Sequence, residues 1–355
     1  GCKGLLIGLT ISSLLLAGCG SSDDDTTNTT LTAGNDSGDA TDITGAELTA
    51  RDESCADYVG TYESSVTDVQ RGIAFTGNLT ISSSGNTCSF SSDDIPNHDF
   101  NQSPGNFATP VAEVSKSFTL PTNPSMAASV TEMELGVVNA IMLNGVVLDI
   151  LPAACYGEGN EPLGQEMIGC GAIDHPWRYD PMSALNNFGT DTHNAHVQPD
   201  GSYHYHGNPV ALFAQDCSTA TAASPVIGFA ADGFPIYGSC IEDGNGDIRE
   251  ATSSYMLKNS GGVREAVNGY QTPTGGTGNV ASSNYDGQFR GDYEYVENQG
   301  DLDECNGMTV DNQYGYYVTS SFPWIVGCFK GTVNSSFQPG SARALEIKMH
   351  GHSHL

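Results

Sequence analysis

Apolar and polar residues alternate over short stretches in the first third of the chain, and this pattern is typical of half-buried β-strands. Three such stretches lie at residues 58–62, 72–76 and 78–82. The sequence Ser-Gly-Asn at 84–86 then predicts a hairpin turn before a fourth strand at 87–90. The pattern therefore predicts a small β module over residues 51–115.

A larger domain is predicted over residues 125–350, after a Pro-rich loop or linker at 96–124. It begins with an apolar run at 135–150, which an Asn-Gly turn interrupts, as expected of a buried hairpin. Further strands joined by long loops rich in Gly, Pro and Asp follow. One or two short helices are expected near residues 181–188.

The composition supports a fold with many turns and few helices. The 43 Gly and 16 Pro residues disfavour long helices, and a hydrophobic content of 38% is sufficient for a packed core. We therefore expect a mainly β protein, in which the small N-terminal β module precedes a larger, irregular, β-rich domain stabilised by disulfides.

The charge balance restricts the partners of the protein. The chain has 12 Lys and Arg residues against 42 Asp and Glu residues, a formal net charge of −30. Nucleic acids and anionic membrane surfaces repel a polyanion, so neither is an expected partner. The sequence leaves a protein or polymer partner open.

The N-terminal residues have the features of an export signal. Residues 1–18 contain a basic residue and an apolar stretch too short to span a bilayer, which is typical of a signal peptide. The sequence Leu-Ala-Gly-Cys that ends at Cys19 resembles a bacterial lipoprotein signal. This resemblance implies cleavage before Cys19, a lipid on its thiol, and a lipid-anchored protein of the cell envelope. Gly20 after that cysteine favours the outer membrane.

Residues 19–50 follow the signal as a predicted tether. Seven carboxylates and no basic residue lie among small polar residues in this stretch. Such a segment buries too little apolar area to offset the entropy lost on ordering, so we expect a disordered spacer.

The remaining cysteines indicate disulfides. Without Cys2 in the signal and Cys19, eight are left: Cys55, Cys88, Cys155, Cys170, Cys217, Cys240, Cys305 and Cys328. An even number in an exported protein points to disulfide bonds, and no Cys-x-x-Cys motif supports a thiolate zinc site or a redox motif. The spacing favours pairing of sequence neighbours: 55–88, 155–170, 217–240 and 305–328.

The candidate chemistry lies at residues 191–209, where four of the nine histidines occur: His193, His196, His204 and His206. A Pro-Asp-Gly turn at 199–201 allows the flanking segments to fold back on each other. In an extended strand His204 and His206 share one face. The pair His193 and His196 aligns if its segment makes one helical turn. Three or four imidazoles could then meet at one point and bind Cu or Zn.

Several neighbours of these histidines have predicted supporting roles. Asp191 and Asp200 are candidates to accept imidazole N–H groups, or to form turns. Tyr203 and Tyr205 alternate with the histidines and are expected in the core. The alternative is that the histidines make hydrogen bonds within a Tyr- and Asp-rich core and bind no metal.

The segment also carries a resemblance to a known family. Its sequence Tyr-His-Tyr-His at 203–206, after Gln-Pro-Asp-Gly at 198–201, resembles the signature of bacterial YHYH-domain proteins. The similarity continues through residues 228–238 and 302–307 and covers about 135–330. It implies exported, often lipid-anchored proteins. Members often carry a histidine in the later Tyr-rich stretch where Gly315 stands here, so no ligand role carries over to that stretch.

Three further features are weaker candidates. Asp232 is a ligand, a general base or the former of a turn. Asp243, Asn245 and Asp247 place oxygen atoms at alternating positions as a calcium loop does, but Ser254 stands where such a loop has its Glu, so a Gly-rich hairpin loop is the favoured interpretation. Residues 351–355 form a His-containing tail, and the candidate chelating residues at this end of the chain are His350, just before the tail, and His352 and His354 within it.

The sequence leaves three classes of function open. The first is an exported, lipid-anchored protein that binds copper or zinc through its histidines. The second is a metal-dependent hydrolase or oxidase, although no His-Glu-x-x-His, Gly-x-Ser-x-Gly or phosphate-binding glycine loop is present. The third is a structural or adhesive surface module without metal. Whether the protein is an enzyme is not established by the sequence.

Overall fold

The computed structural model describes residues 38–338, in which β-strands supply most of the regular structure. No α-helix occurs among these residues, and none of their helical segments is long or apolar enough to cross a membrane. The helical segments are four single 3₁₀ turns at Cys55–Tyr58, Lys258–Gly261, Arg290–Asp292 and Ser335–Phe337. The predicted mainly β fold is confirmed. The predicted signal peptide, Cys19 and the histidine tail lie outside the described residues.

Nineteen strands lie in the described part of the chain. They are β1 (Thr41–Asp42), β2 (Gly60–Asp68), β3 (Ile73–Ser84), β4 (Thr87–Ser92), β5 (Lys116–Pro121), β6 (Met126–Glu132), β7 (Ala140–Met142), β8 (Val147–Leu148), β9 (Ala195–Val197), β10 (Tyr203–Tyr205), β11 (Val226–Ala230), β12 (Pro235–Tyr237), β13 (Cys240–Glu242), β14 (Ile248–Glu250), β15 (Tyr255–Leu257), β16 (Tyr293–Tyr295), β17 (Gly307–Val310), β18 (Gln313–Tyr317) and β19 (Cys328–Gly331).

The first five strands form one sheet in the order β1-β2-β3-β4-β5. Strand β1 is parallel to β2, and the other neighbours are antiparallel. The predicted hairpin turn joins β3 to β4, where Gly85 has a φ of +60° that glycine adopts without strain. Strand β5 lies in the section that the sequence assigned to a loop or linker. Its inward-facing Phe118 and Leu120 are buried, as the alternation of a half-buried strand requires.

The folded part also begins earlier than the sequence predicted. The sequence predicts a disordered tether over residues 19–50, but within the described part of that segment Ile43, Ala46 and Leu48 are buried. The backbone N–H of Leu48 donates to the carbonyl of Leu212, 2.8 Å away, and β1 pairs with β2. Three apolar side chains among the acidic residues therefore suffice to dock this segment, because the backbone also finds partners.

Eight strands form a second sheet, in the order β17-β18-β12-β11-β7-β8-β10-β9. The predicted buried hairpin, β7 and β8, lies inside it, and every residue of both strands is buried. Gly145 forms the turn with a φ of +89° and donates its N–H to the carbonyl of Met142. Strand β10 runs parallel to β8, and β9 is at the edge.

The two sheets share one hydrophobic core. The ring of Phe229 on β11 lies 5.7 Å from that of Tyr58 and 6.2 Å from that of Phe90, centroid to centroid. The hydroxyl of Ser92 on β4 donates to the carbonyl of Gly145 at 2.6 Å. The N-terminal sheet therefore covers the central hairpin of the second sheet.

The four disulfides join the predicted cysteine pairs, 55–88, 155–170, 217–240 and 305–328. A second, smaller hydrophobic cluster, which includes Trp177 and Phe289, is formed by residues of the long segments that follow β8 and β15. The helices expected near 181–188 are turns instead. In an α-helix the carbonyl of Asp180 would accept a backbone N–H. Here it accepts a side-chain N–H of Asn186, so a side-chain hydrogen bond orders this loop instead.

Candidate metal centre

A tight hairpin places the candidate residues opposite one another. Its turn contains Asp200 and Gly201, and Asp200 accepts hydrogen bonds from the backbone N–H of Ser202 at 3.0 Å and from its hydroxyl at 2.6 Å. Gly201 has a φ of +91°, and a Cβ there would lie 2.7 Å from the side chain of Ala112. Glycine at this turn therefore lets the flanking segments, β9 and β10, fold back on each other as the sequence predicted.

The strand register brings three histidines to one face. His196 on β9 is paired directly with His204 on β10. His206 follows two residues later and, because strand side chains alternate, it lies on the same face as His204. The Nε2 atom of His206 is 2.8 Å from that of His196 and 3.0 Å from that of His204. We call these three residues the histidine triad.

Backbone carbonyls hold the opposite side of each ring. The Nδ1 atoms of His196, His206 and His204 lie 2.9, 3.1 and 3.4 Å from the carbonyl oxygens of residues 188, 150 and 202. Since a carbonyl only accepts, these contacts favour the tautomer with the proton on Nδ1, in which each Nε2 presents a lone pair to the common centre. Three lone pairs this close repel one another unless a cation lies between them, and two nitrogens that each lie about 2.0–2.1 Å from one ion are separated by about 3 Å.

The surroundings of His196 and His206 keep these two imidazoles neutral. Burial lowers the pKa of His206 well below its usual value, and the nearby His196 and Arg290 lower it further. Burial also lowers the pKa of His196. Neutral imidazole is the form that binds metal ions. Among the described residues the triad is the group with suitable metal-ligand spacing, and no carboxylate joins it.

His193 does not join the triad, which corrects the four-histidine site that the sequence allowed. Its segment forms a turn rather than a helix: Asn194 has a φ of +59°, and the Asp191 carboxylate accepts the N–H of His193 at 2.9 Å. The ring of His193 instead stacks on that of His98, with centroids 3.8 Å apart. Without the helical turn, the spacing of three residues no longer aligns His193 with His196.

The two tyrosines of β10 lie on the face opposite the triad and are buried. Tyr203 donates its hydroxyl proton to Asp191 at 2.9 Å. The hydroxyl oxygen of Tyr205 lies 2.6 Å from Nε2 of His98 and accepts a hydrogen bond from Asn144 at 3.0 Å. His98 belongs to the N-terminal part of the chain and was not singled out from the sequence, because only the packing of the two sheets brings it to β10.

Asp232 and the proposed calcium loop lie elsewhere. The buried Asp232 carboxylate accepts the hydroxyl proton of Tyr316 at 2.5 Å and the N–H of Gly331 at 2.9 Å. Asp243 accepts the backbone N–H groups of Asn245 at 2.8 Å and Asp247 at 3.1 Å, and so closes the hairpin between β13 and β14. This loop is therefore a hairpin loop. The Oδ1 atom of Asp243, which a calcium ion would need as a ligand, accepts backbone N–H groups instead.

A cavity of about 440 Å³ lies beside the triad. His196 and His206 form part of its wall, together with mainly apolar residues. The triad is therefore accessible from one side. No signal in the sequence indicated this cavity, because its wall comes from segments far apart along the chain.

Buried neutral histidines predict acid sensitivity. Burial, with the nearby His193, lowers the pKa of His98 to about 3, against about 6.5 in an unfolded chain. Between these values the unfolded chain binds a proton that the folded protein does not, so the free energy of unfolding falls as pH falls from 6.5 towards 3. In the metal-free protein, His98→Gln is expected to reduce the loss of stability between pH 7 and pH 4.5 by about 2 kcal/mol, as measured by denaturant titration. An unchanged pH dependence would contradict a buried neutral His98.

Comparison with known proteins identifies a family. The model of the family described as "YHYH protein" matches residues 117–331, more than half of the chain. The match runs from β5 to β19 and includes the triad. No curated protein and no solved structure matches the chain.

Proposed function

This chain belongs to the YHYH protein family, and we propose that it binds one transition-metal ion through His196, His204 and His206. The supporting observation is the convergence of three Nε2 atoms, each on a ring whose Nδ1 faces a backbone carbonyl. Hydrogen bonds of this kind fix the tautomer and the orientation of metal-binding histidines.

The donor set favours copper or zinc. Neutral imidazole suits Cu and Zn, whereas Ca²⁺ and Mg²⁺ prefer oxygen ligands. The triad supplies only nitrogen donors, and it lies in a chain whose disulfides are consistent with an oxidising compartment. A structural zinc site is closed by four protein ligands, and three protein ligands leave a position for another molecule.

The cavity beside the triad favours a second candidate, a metal-dependent hydrolase or oxidase. A bound Zn²⁺ would supply Lewis acidity, and a bound copper ion would supply redox chemistry. The chain's own contribution is to hold the imidazoles and to shield the site in a mainly apolar wall. Turnover of a generic ester, phosphodiester or phenol by the metal-loaded protein, lost in His206→Ala, would support an enzyme.

Metal analysis tests the proposal. The three tail histidines could mimic a site, so the protein used is the full chain with His350→Ala, His352→Ala and His354→Ala, which we call the tail-substituted protein. After dialysis against micromolar Cu²⁺ or Zn²⁺, elemental analysis is expected to give one ion per chain. A tail-substituted protein that retains no ion would contradict metal binding and favour the structural or adhesive module.

The proposal also places the protein in the cell envelope, anchored by a lipid on Cys19 and located at the outer membrane. The signal-like residues 1–18 and Gly20 support this location, and all of them lie outside the described residues. Cys19→Ser is expected to abolish incorporation of labelled fatty acid and to release the protein from membrane fractions. Cys2→Ser is the matched control, since Cys2 is removed with the signal. Labelling that persists in Cys19→Ser would show that another residue is acylated.

A further inference from the structure

The cavity beside the histidine triad has the size and wall of a small-molecule site. Its volume of about 440 Å³ lies within the range of ligand pockets, roughly 300–1,000 Å³. Apart from His196 and His206, its wall includes the apolar side chains of Leu135, Leu151, Met167, Ile168, Phe188 and Val197. Sites for small organic molecules have such walls, with a few polar groups that fix orientation.

The rim of the cavity exposes apolar surface. Met167 and Ile168 line this cavity, and their side chains are 43% and 44% exposed. Two adjacent apolar residues are therefore open to solvent at the same place. Leu151 is buried and Phe188 is partly buried, and the carbonyl of Phe188 lies 2.9 Å from Nδ1 of His196. The apolar wall and the metal-ligating histidines are therefore parts of one surface.

The triad supplies a polar attachment point at one end of this surface. An ion held by three protein ligands keeps at least one position for a further ligand. Two of the three imidazoles line the cavity. Asp149 and Asp200 also line it, but neither carboxylate belongs to the group of closely spaced ligand atoms that the triad forms. A molecule in the cavity can therefore reach the ion.

We propose that this cavity binds a small, largely apolar organic molecule that coordinates the metal ion through one polar group. This inference rests on the proposed metal site and goes beyond it, because it names the class of ligand. The apolar part of the molecule packs against Leu151, Phe188 and Val197, and its polar group replaces solvent at the ion.

Two hydroxamic acids test the proposal, since they offer the same metal-coordinating group with and without an apolar body. The tail-substituted protein is loaded with Co²⁺, whose visible spectrum reports its ligands, and titrated with acetohydroxamic and benzohydroxamic acid. Benzohydroxamic acid is expected to bind at least about tenfold more tightly, because its ring is removed from water. A ratio near one, on protein that holds cobalt, would overturn this inference and leave the metal site intact.

Two matched variants locate the effect. Met167→Glu places a charge at the rim of the cavity, and Met256→Glu places one at a residue of similar exposure, 44%, on β15. Met167→Glu is expected to reduce the preference for benzohydroxamic acid to less than about threefold, while Met256→Glu retains it. Equal ratios in both variants would place the ring elsewhere and overturn the inference. Protein that binds no cobalt would overturn the metal site and this inference together.

Discussion

Replacing His206 by alanine is expected to lower the affinity of the tail-substituted protein for Cu²⁺ or Zn²⁺ by at least about 100-fold. His206 is the central member of the triad, since its Nε2 lies 2.8 Å from that of His196 and 3.0 Å from that of His204. Its loss removes one of the three ligands, so that only the Nε2 atoms of His196 and His204 remain to bind the ion. Competition titration with a chromophoric chelator measures the change.

His193→Ala is the matched control for this prediction. His193 lies in the same segment, but its ring stacks on His98 rather than joining the triad. Its removal is expected to change metal affinity by less than about threefold, within the range of indirect effects. Equal losses in His193→Ala and His206→Ala would show that the three-histidine site is wrong.

Asp191→Ala is expected to lower the free energy of unfolding by about 3–5 kcal/mol, the largest effect on stability that we predict for one of the candidate site residues. The buried Asp191 carboxylate accepts the N–H of Asn101 and the hydroxyl proton of Tyr203, both at 2.9 Å, and the N–H groups of His193 and Ala195. Its removal leaves these donors without a partner in the protein interior. Denaturant unfolding of the metal-free protein measures the loss.

Asp243→Ala provides the comparison. The Asp243 carboxylate also accepts two backbone N–H groups, but it does so in a partly exposed hairpin where water can replace it. A loss of about 1 kcal/mol is expected there. If both variants lose equally little, Asp191 does not have the structural role that its contacts indicate.

Local sequence features predicted the parts of the site that depend on neighbours along the chain. The Pro-Asp-Gly turn and the alternation of residues 203–206 were enough to place His204 and His206 on one face, because strand geometry fixes that relation. The Asn-Gly turn predicted the buried hairpin in the same way. The disulfide pairs followed from short spacings.

Contacts between distant segments could not be predicted in this way. The choice between a helical turn and a strand before His196 depends on Asp191, which itself is held by Asn101 from the N-terminal part. The partner of Tyr205, His98, lies 107 residues away in sequence. The docking of Ile43 and Leu48 likewise depends on a surface made by other segments. Such relations arise from tertiary packing, which a local pattern does not contain.

The order of the cysteines bears on how the protein matures. Each disulfide of the described residues joins a cysteine to the next one along the chain, over separations of 33, 15, 23 and 23 residues. A chain that emerges N-terminus first therefore presents each cysteine with its own partner before the next pair appears. Oxidation in the order of emergence would therefore give the native pairing without any exchange between wrongly paired disulfides.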